Sequence, residues 1–89
     1  MSWKIEFLPQ AEKDMRAIDK PERARIFSFL RERVAGLDDP RSIGEALRGK
    51  ELGKYWKYRV GNYRVICSIR DARITILVVN VGHRREVYR

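Results

Sequence analysis

The sequence predicts an α+β fold: an N-terminal strand, a helical hairpin, then an antiparallel three-strand meander, forming one sheet covered on one face by the helices. Three observations predict it. Apolar residues alternate with period two at the N-terminus, recur at helical spacing through the next thirty positions, and return to strand-like runs after Lys54. Two short junctions, Gly61-Asn62 and Asp71-Ala72, divide the last third into three segments and carry the residues a tight hairpin needs. At 89 residues, 44% of them hydrophobic, the chain is expected to form one domain (1–89), near the lower end of what a single core supports.

Trp3, Ile5 and Phe7 alternate with Lys4 and Glu6, the pattern of a half-buried strand. Pro9 closes that strand and suits the first turn of a helix. Leu8, Ala11, Met15 and Ile18 then fall on one helical face, with Glu12, Lys13, Asp14 and Arg16 outside it. Asp19-Lys20-Pro21-Glu22 breaks this helix and starts a second, with Pro21 at an early helical position. Its apolar stripe is Phe27, Leu30, Val34 and Leu37, widened by Ile26, and it stops at Gly36 or at Asp38-Asp39-Pro40. Residues 38–53, punctuated by Pro40, Gly44 and Gly49, read as a loop with Ile43 and Leu47 tucked against the core.

In the first meander strand Tyr55, Lys57 and Arg59 share one face, while Trp56, Tyr58 and Val60 share the other. In the second, Tyr63, Val65, Cys67 and Ile69 oppose Arg64, Ile66, Ser68 and Arg70. The third, Arg73 to Val81, is apolar on both faces, as a central strand should be.

Charge is unevenly distributed. From Lys54 onward nine basic residues face two acids, Asp71 and Glu86, so this third carries +7 of the chain's net +8. A polyanion is the expected partner. The single Cys67 rules out an internal disulfide and suits a reducing cytosol. One Cys and one His leave no all-protein zinc site, and no cofactor is expected. Lys4 and Glu6 interrupt what would be the apolar core of a signal peptide, and the apolar run Ile76–Val79 is too short to span a bilayer. A cytoplasmic protein with no membrane partner is the expectation.

Cutting a phosphodiester requires cations on the phosphorane oxygens, a group to take the nucleophile's proton and another to protonate the leaving oxygen. Arginine suits the first task, because its planar fork meets two phosphate oxygens and never deprotonates. Lys57, Arg59, Arg64 and Arg84 come from separate strands and the tail, and adjacent strands can bring them onto one face. Tyr88 adds a ring on which a base can stack, and a phenol that cations can push toward ionisation. No acidic pair for a metal is evident in this half, so a nuclease here would use the RNA's own 2′-hydroxyl as nucleophile.

The segments LRG at 47–49, KYRVGNYRV at 57–65 and VGHRREVYR at 81–89 resemble the RelE/ParE toxin superfamily, specifically its RelE-type messenger RNA interferases. The resemblance covers the whole chain in element order and is most specific at Tyr63-Arg64 and at His83-Arg84 with Val87-Tyr88. It implies a RelE-like fold and a toxin of a type II toxin–antitoxin pair that cleaves mRNA in the A site of the 70S ribosome. It also implies a cognate acidic, RelB-like antitoxin, with operator DNA bound only through the toxin–antitoxin complex. Residue by residue, Arg64 would stabilise the transition-state phosphate, and Arg84 would do likewise or help the leaving 5′ oxygen. Lys57 would balance charge near the 2′-hydroxyl, and Tyr88 would stack on or orient the nucleotide. Lys54, Arg59, His83, Arg85 and Arg89 would contact RNA.

Two positions depart from the RelE pattern: Tyr55 stands where a second lysine is usual, and His83 follows the glycine in place of lysine. His83 reads either as an ordinary surface histidine or as a proton-transfer group. Arg70 and Arg73, flanking a turn, read as solubility charges; Cys67 reads as a buried apolar filler; Trp3 and Trp56 read as core or antitoxin-contact residues. Two other functional classes stay open at this level. One is a ParE-type, non-nucleolytic inhibitor of DNA gyrase, and the other is a basic module that docks nucleic acid by charge alone.

Overall fold

In the computed structural model, which describes residues 2–49 and 54–83, the N-terminal alternation becomes strand β1 (Lys4–Phe7). Leu8 caps helix α1 (Pro9–Arg16) in an extended conformation, with Pro9 in the first turn as expected. Ala11, Met15 and Ile18 turn into the core, whereas Leu8, at the cap, stays exposed.

Helix α2 (Lys20–Ser28) begins after Asp19 with Pro21 in its first turn and runs on without a break into a wider π-helical segment, Phe29–Val34. There the Ala35 N–H donates to the Leu30 carbonyl, five residues back, at 2.8 Å. This widening changes which residues form the stripe. Residues four apart drift by about 40° around a helix of 3.6 residues per turn, and the wider turn takes that drift back. Ile26, Leu30 and Val34 therefore align and are all fully buried. Phe27, read from the sequence as part of the stripe, lies on the rim instead, 40% exposed. Its ring packs on Phe7 with centroids 5.3 Å apart.

The sheet has five strands in the order β1-β5-β4-β3-β2, the later strands being β2 (Glu45–Ala46), β3 (Tyr55–Val60), β4 (Tyr63–Arg70) and β5 (Thr75–His83). The antiparallel meander β3-β4-β5 is as expected. Strand β1 joins it in parallel, from Lys4 opposite Thr75 to Phe7 opposite Val78, so the sheet is mixed. Both helices lie on one face, where Tyr58, Val60, Val65, Cys67, Ile69, Ile76, Val78 and Val81 meet them. Trp3 and Trp56 are half-buried against this same core.

The two hairpins differ. Val60 pairs with Tyr63 across Gly61-Asn62, and Gly61 alone has positive φ, +60°, as at the first central residue of a type II′ turn. Asp71-Ala72 offers no glycine, and the chain takes a longer route through a 3-10 turn, Asp71–Arg73, and a left-handed Ile74 at φ 48°. A β-branched residue there is strained, and two backbone hydrogen bonds hold it: its N–H to the Asp71 carbonyl and its carbonyl from the Lys4 N–H. The third meander strand therefore runs two residues later than the sequence suggests, from Thr75 to His83. Within it the pairing slips, Ile66 facing Asn80 while Cys67 faces Val78. The slip turns Asn80 and the Val81 N–H toward α1, and both donate to the Asp14 carboxylate at 3.0 Å.

The segment read as a loop, 38–53, holds a 3-10 turn (Pro40–Ile43) and strand β2, which pairs antiparallel with β3 through Glu45–Lys57 and Ala46–Trp56. Its anchor is Pro40, not Ile43, which is 43% exposed, and Leu47 is only half-buried. The buried Tyr58 hydroxyl donates to the Pro40 carbonyl at 2.6 Å. Gly44 lies against that ring, so closely that a Cβ would come within 3.0 Å of it. Arg41 forks onto both Asp71 oxygens and ties the segment to the β4–β5 turn.

Tyr58→Phe, which leaves the Pro40 carbonyl without its donor, is expected to cost about 1–3 kcal/mol. Gly44→Ala should cost a similar amount by overpacking, about 1–3 kcal/mol. Urea unfolding measures both, and midpoints unchanged from wild type would show that this contact does not hold the segment.

Candidate functional site

The core residues of β3 and β4 alternate with the residues that face away from the helices. Two cross-strand rows result on the face turned away from the helices. Lys57 stands opposite Ile66, and two residues along Arg59 stands opposite Arg64, with Gly82 of β5 next to Arg64. Two arginines directly across from each other repel and weaken a sheet. Such a pair makes the row a candidate site. Lys57 and Arg64 are also buried, at 8% and 5%, while Arg59 is exposed.

One acid enters this cluster. Glu45 of β2 lies opposite Lys57, and its carboxylate accepts from the Lys57 Nζ at 3.1 Å. That hydrogen bond and the lysine's charge hold the Glu45 carboxyl below the usual carboxylate range, with Arg59 and Arg64 adding to the pull. On the opposite face burial pushes both the Tyr58 phenol and the Cys67 thiol up, so neither supplies a proton acceptor at neutral pH.

The structure thus brings together Lys57, Arg59 and Arg64. Lys54, at the start of β3, is exposed, with its ammonium 5.5 Å from the Tyr55 ring centre. His83 does not join them. It packs edge-on to Tyr63, centroids 5.6 Å apart, toward the helix side, where both line a cavity of about 310 Å³ with Asp14 and Ile18. Arg84, Arg85, Tyr88 and Arg89 lie outside the described residues. Arg70 turns back on its own strand, its Nε donating to Ser68 Oγ at 2.9 Å, and Arg73 is exposed in the far turn. Glu45 is the residue that sequence reasoning misses. A two-residue strand shows no periodicity, and the one available signal was its position between Gly44 and Gly49.

Among the described residues no three His, Cys, Asp or Glu side chains gather in a way that could hold a metal ion. No helix among them is long and apolar enough to cross a membrane.

A helical hairpin on one face of a mixed five-strand sheet, with cations gathered on the other, defines a class of small basic α+β proteins. The family model for the ParE toxin of type II toxin–antitoxin systems, parDE, matches residues 5–88. The chain belongs to that family, within the RelE/ParE superfamily of type II toxins. Among curated relatives, Toxin RelG of Mycobacterium tuberculosis is 27% identical over 89 residues, covering 100% of this chain and 99% of its own. The mRNA interferase toxin RelE of Escherichia coli is 29% identical over 90 residues, covering 99% of this chain and 92% of its own. Among solved structures, the RelBE2 toxin–antitoxin complex of M. tuberculosis superposes with a TM-score of 0.84 at 24% identity, over 97% of this chain and 95% of that one. The intact E. coli RelBE complex gives 0.75 at 23% identity, over 92% and 96%. These superpositions establish the fold.

Proposed function

We propose that this toxin is a ribosome-dependent endoribonuclease that cuts mRNA in the A site through attack of the RNA's own 2′-hydroxyl, and so blocks translation. The observation that carries this reading is the opposed pair Arg59 and Arg64, with Lys57 one row away, on the face turned away from the helices. Such a row costs folding stability and suits a phosphate whose charge grows during reaction. The name of the E. coli relative, an mRNA interferase, supports the same reading. Arg64 and Arg84 stabilise the phosphorane, Lys57 balances charge beside the 2′-oxygen, and Tyr88 orients the nucleotide. Lys54, Arg59, Arg85 and Arg89 hold the RNA backbone; His83, on the other side of the sheet, stands apart from them. An acidic, RelB-like antitoxin silences the toxin in the cytoplasm, as the RelB–RelE complexes among the structural neighbours suggest, and operator DNA is reached only through that complex.

A second reading has one observation in its favour, the ParE description of the family itself: a toxin that inhibits DNA gyrase without cutting RNA. Translation in a cell-free extract, with primer extension along the message, separates the two. Cleavage within the reading frame supports the ribonuclease; an intact message with inhibited supercoiling supports the gyrase inhibitor.

Attack by the 2′-hydroxyl leaves a 2′,3′-cyclic phosphate on one fragment and a 5′-hydroxyl on the other. Mapping the cut ends checks this, and a 3′-hydroxyl product would rule out the mechanism.

A further inference from the structure

Strand β5 changes parity partway along. Val78 and Val81 both belong to the core, fully or almost fully buried, although an odd number of positions separates them. The bulge accounts for this. Cys67 faces Val78 and Ile66 faces Asn80, so the pairing passes over Val79. An unbroken ladder running on from the Cys67–Val78 pair would set Asn80 against Val65, in the core, and Val81 against Arg64. With the bulge, Val81 meets Val65 and Gly82 meets Arg64.

A side chain from the helical layer pins this bulge. Asp14, in the last turn of α1, accepts with one oxygen, Oδ2, from both Asn80 Nδ2 and the Val81 N–H, each at 3.0 Å. Its other oxygen, Oδ1, accepts from Gln10 Nε2, one turn earlier on the same helix, at 2.9 Å. A carboxylate at this end of a helix opposes the helix dipole, and the two donors from β5 offset that cost. Asp14 is half-buried, so water does not simply replace it at both donors.

We propose that Asp14 is a positioning residue for cleavage: by pinning the bulge from the helix side, it keeps Gly82 beside Arg64 on the opposite face. This assignment rests on the ribonuclease reading and deepens it. A glycine in that place leaves the Arg64 side chain room to meet a phosphate, whereas the register without a bulge sets the branched Val81 there. The proposed role of Arg84, two positions beyond Gly82 and so of the same parity, depends on the same register. Burial of Val65 and Val81 favours this register too. Loss of Asp14 therefore loosens the bulge without unfolding the strand. Catalytic geometry is sensitive to such loosening, since a misplacement of about 1 Å can cost about 100-fold in rate.

Single-turnover cleavage on programmed ribosomes at saturating toxin, comparing wild type, Asp14→Asn and Asp14→Ala, tests the assignment. Hydrogen exchange of the Val81 amide is followed in each. Asparagine offers its amide oxygen to Asn80 and Val81, and Gln10 can turn its own amide to meet the new nitrogen. Asp14→Asn should therefore cleave within a few-fold of wild type and keep the Val81 amide protected. Alanine is a good helix former, so Asp14→Ala should keep the fold. Its Val81 amide should exchange about tenfold faster and its cleavage rate should fall about tenfold or more, with ribosome affinity within a few-fold. A role in stability alone would lower the thermal midpoint and leave the rate of the folded protein unchanged. Asp14→Ala cleaving at the wild-type rate therefore overturns the assignment and leaves the ribonuclease reading standing. Asp14→Asn as slow as Asp14→Ala does the same, because charge and not the bonds to β5 would then matter. Should Asp14→Ala fail to fold at the assay temperature, Asn80→Ala carries the test. It is expected to cleave roughly threefold or more slowly, and a wild-type rate there overturns the assignment equally. A wild-type protein that leaves the message whole removes both readings.

Discussion

Arg64→Ala is expected to abolish message cleavage and growth arrest while ribosome binding stays within a few-fold. The guanidinium is buried, faces Arg59 across the strand and has Gly82 as its other neighbour, so no bulky side chain crowds it from β5. A donor aimed at charge that appears only in the transition state typically contributes roughly 100- to 1000-fold in rate, about 3–4 kcal/mol. A face that merely docked RNA would behave otherwise. Each cation removed would weaken binding by a similar small step, screened by salt. Arg70→Ala and Arg73→Ala therefore serve as controls of equal formal charge. One removes a side chain folded onto Ser68 and the other an exposed turn residue, and both variants should remain toxic. Arg84→Ala is expected to follow Arg64→Ala. Equal rate losses at Arg64, Arg70, Arg73 and Arg84 would make the face a docking surface and end the catalytic reading.

Leu30→Ala should be the most damaging truncation in the helical layer. Leu30 is fully buried at the centre of the Ile26–Leu30–Val34 stripe, within the widened turn of α2. Removing its branched end leaves a cavity that costs about 2–5 kcal/mol, a large part of the roughly 5–15 kcal/mol that stabilises a small domain. Phe27→Ala removes more atoms but from the rim, and should cost less than half as much. Urea unfolding of the two variants decides the matter. A Phe27→Ala loss equal to that of Leu30→Ala would place the core where the sequence pattern had it.

That comparison shows what the sequence did and did not disclose. The Trp3-Ile5-Phe7 alternation, the two proline-started helices and the Gly61-Asn62 turn each depend on a local preference, and each was readable directly. Phe27 was misassigned because an ideal 3.6-residue period cannot anticipate a π turn. Ile74 was unforeseen because its left-handed conformation is imposed by Lys4 and Asp71, not by its own propensity. At the site, the face shared by Lys57 and Arg59 followed from parity along one strand. Their alignment with Arg64 followed from the tight turn that fixes the register. Glu45 could not be found this way, because its partner lies on another strand and its own strand is too short to show a pattern. His83 was grouped with the tail by its neighbours in sequence, yet a bulge in β5 lies between it and the parity of the earlier residues.

The parallel pairing of β1 with β5 also sets an order in time. Strand β1 is made first, but its partner among the described residues is Thr75–Val78, some seventy positions later in the sequence. The helical hairpin forms from neighbouring residues and waits, with its apolar face uncovered, for a sheet that has not yet been synthesised. Contacts so distant in sequence slow folding and leave the early portion open to association. The cationic face belongs to β3 and β4 and is bordered by β5, so it too is completed late. While its first half is being translated, the nascent chain has no such face, and the cationic rows come together only as β5 closes the sheet.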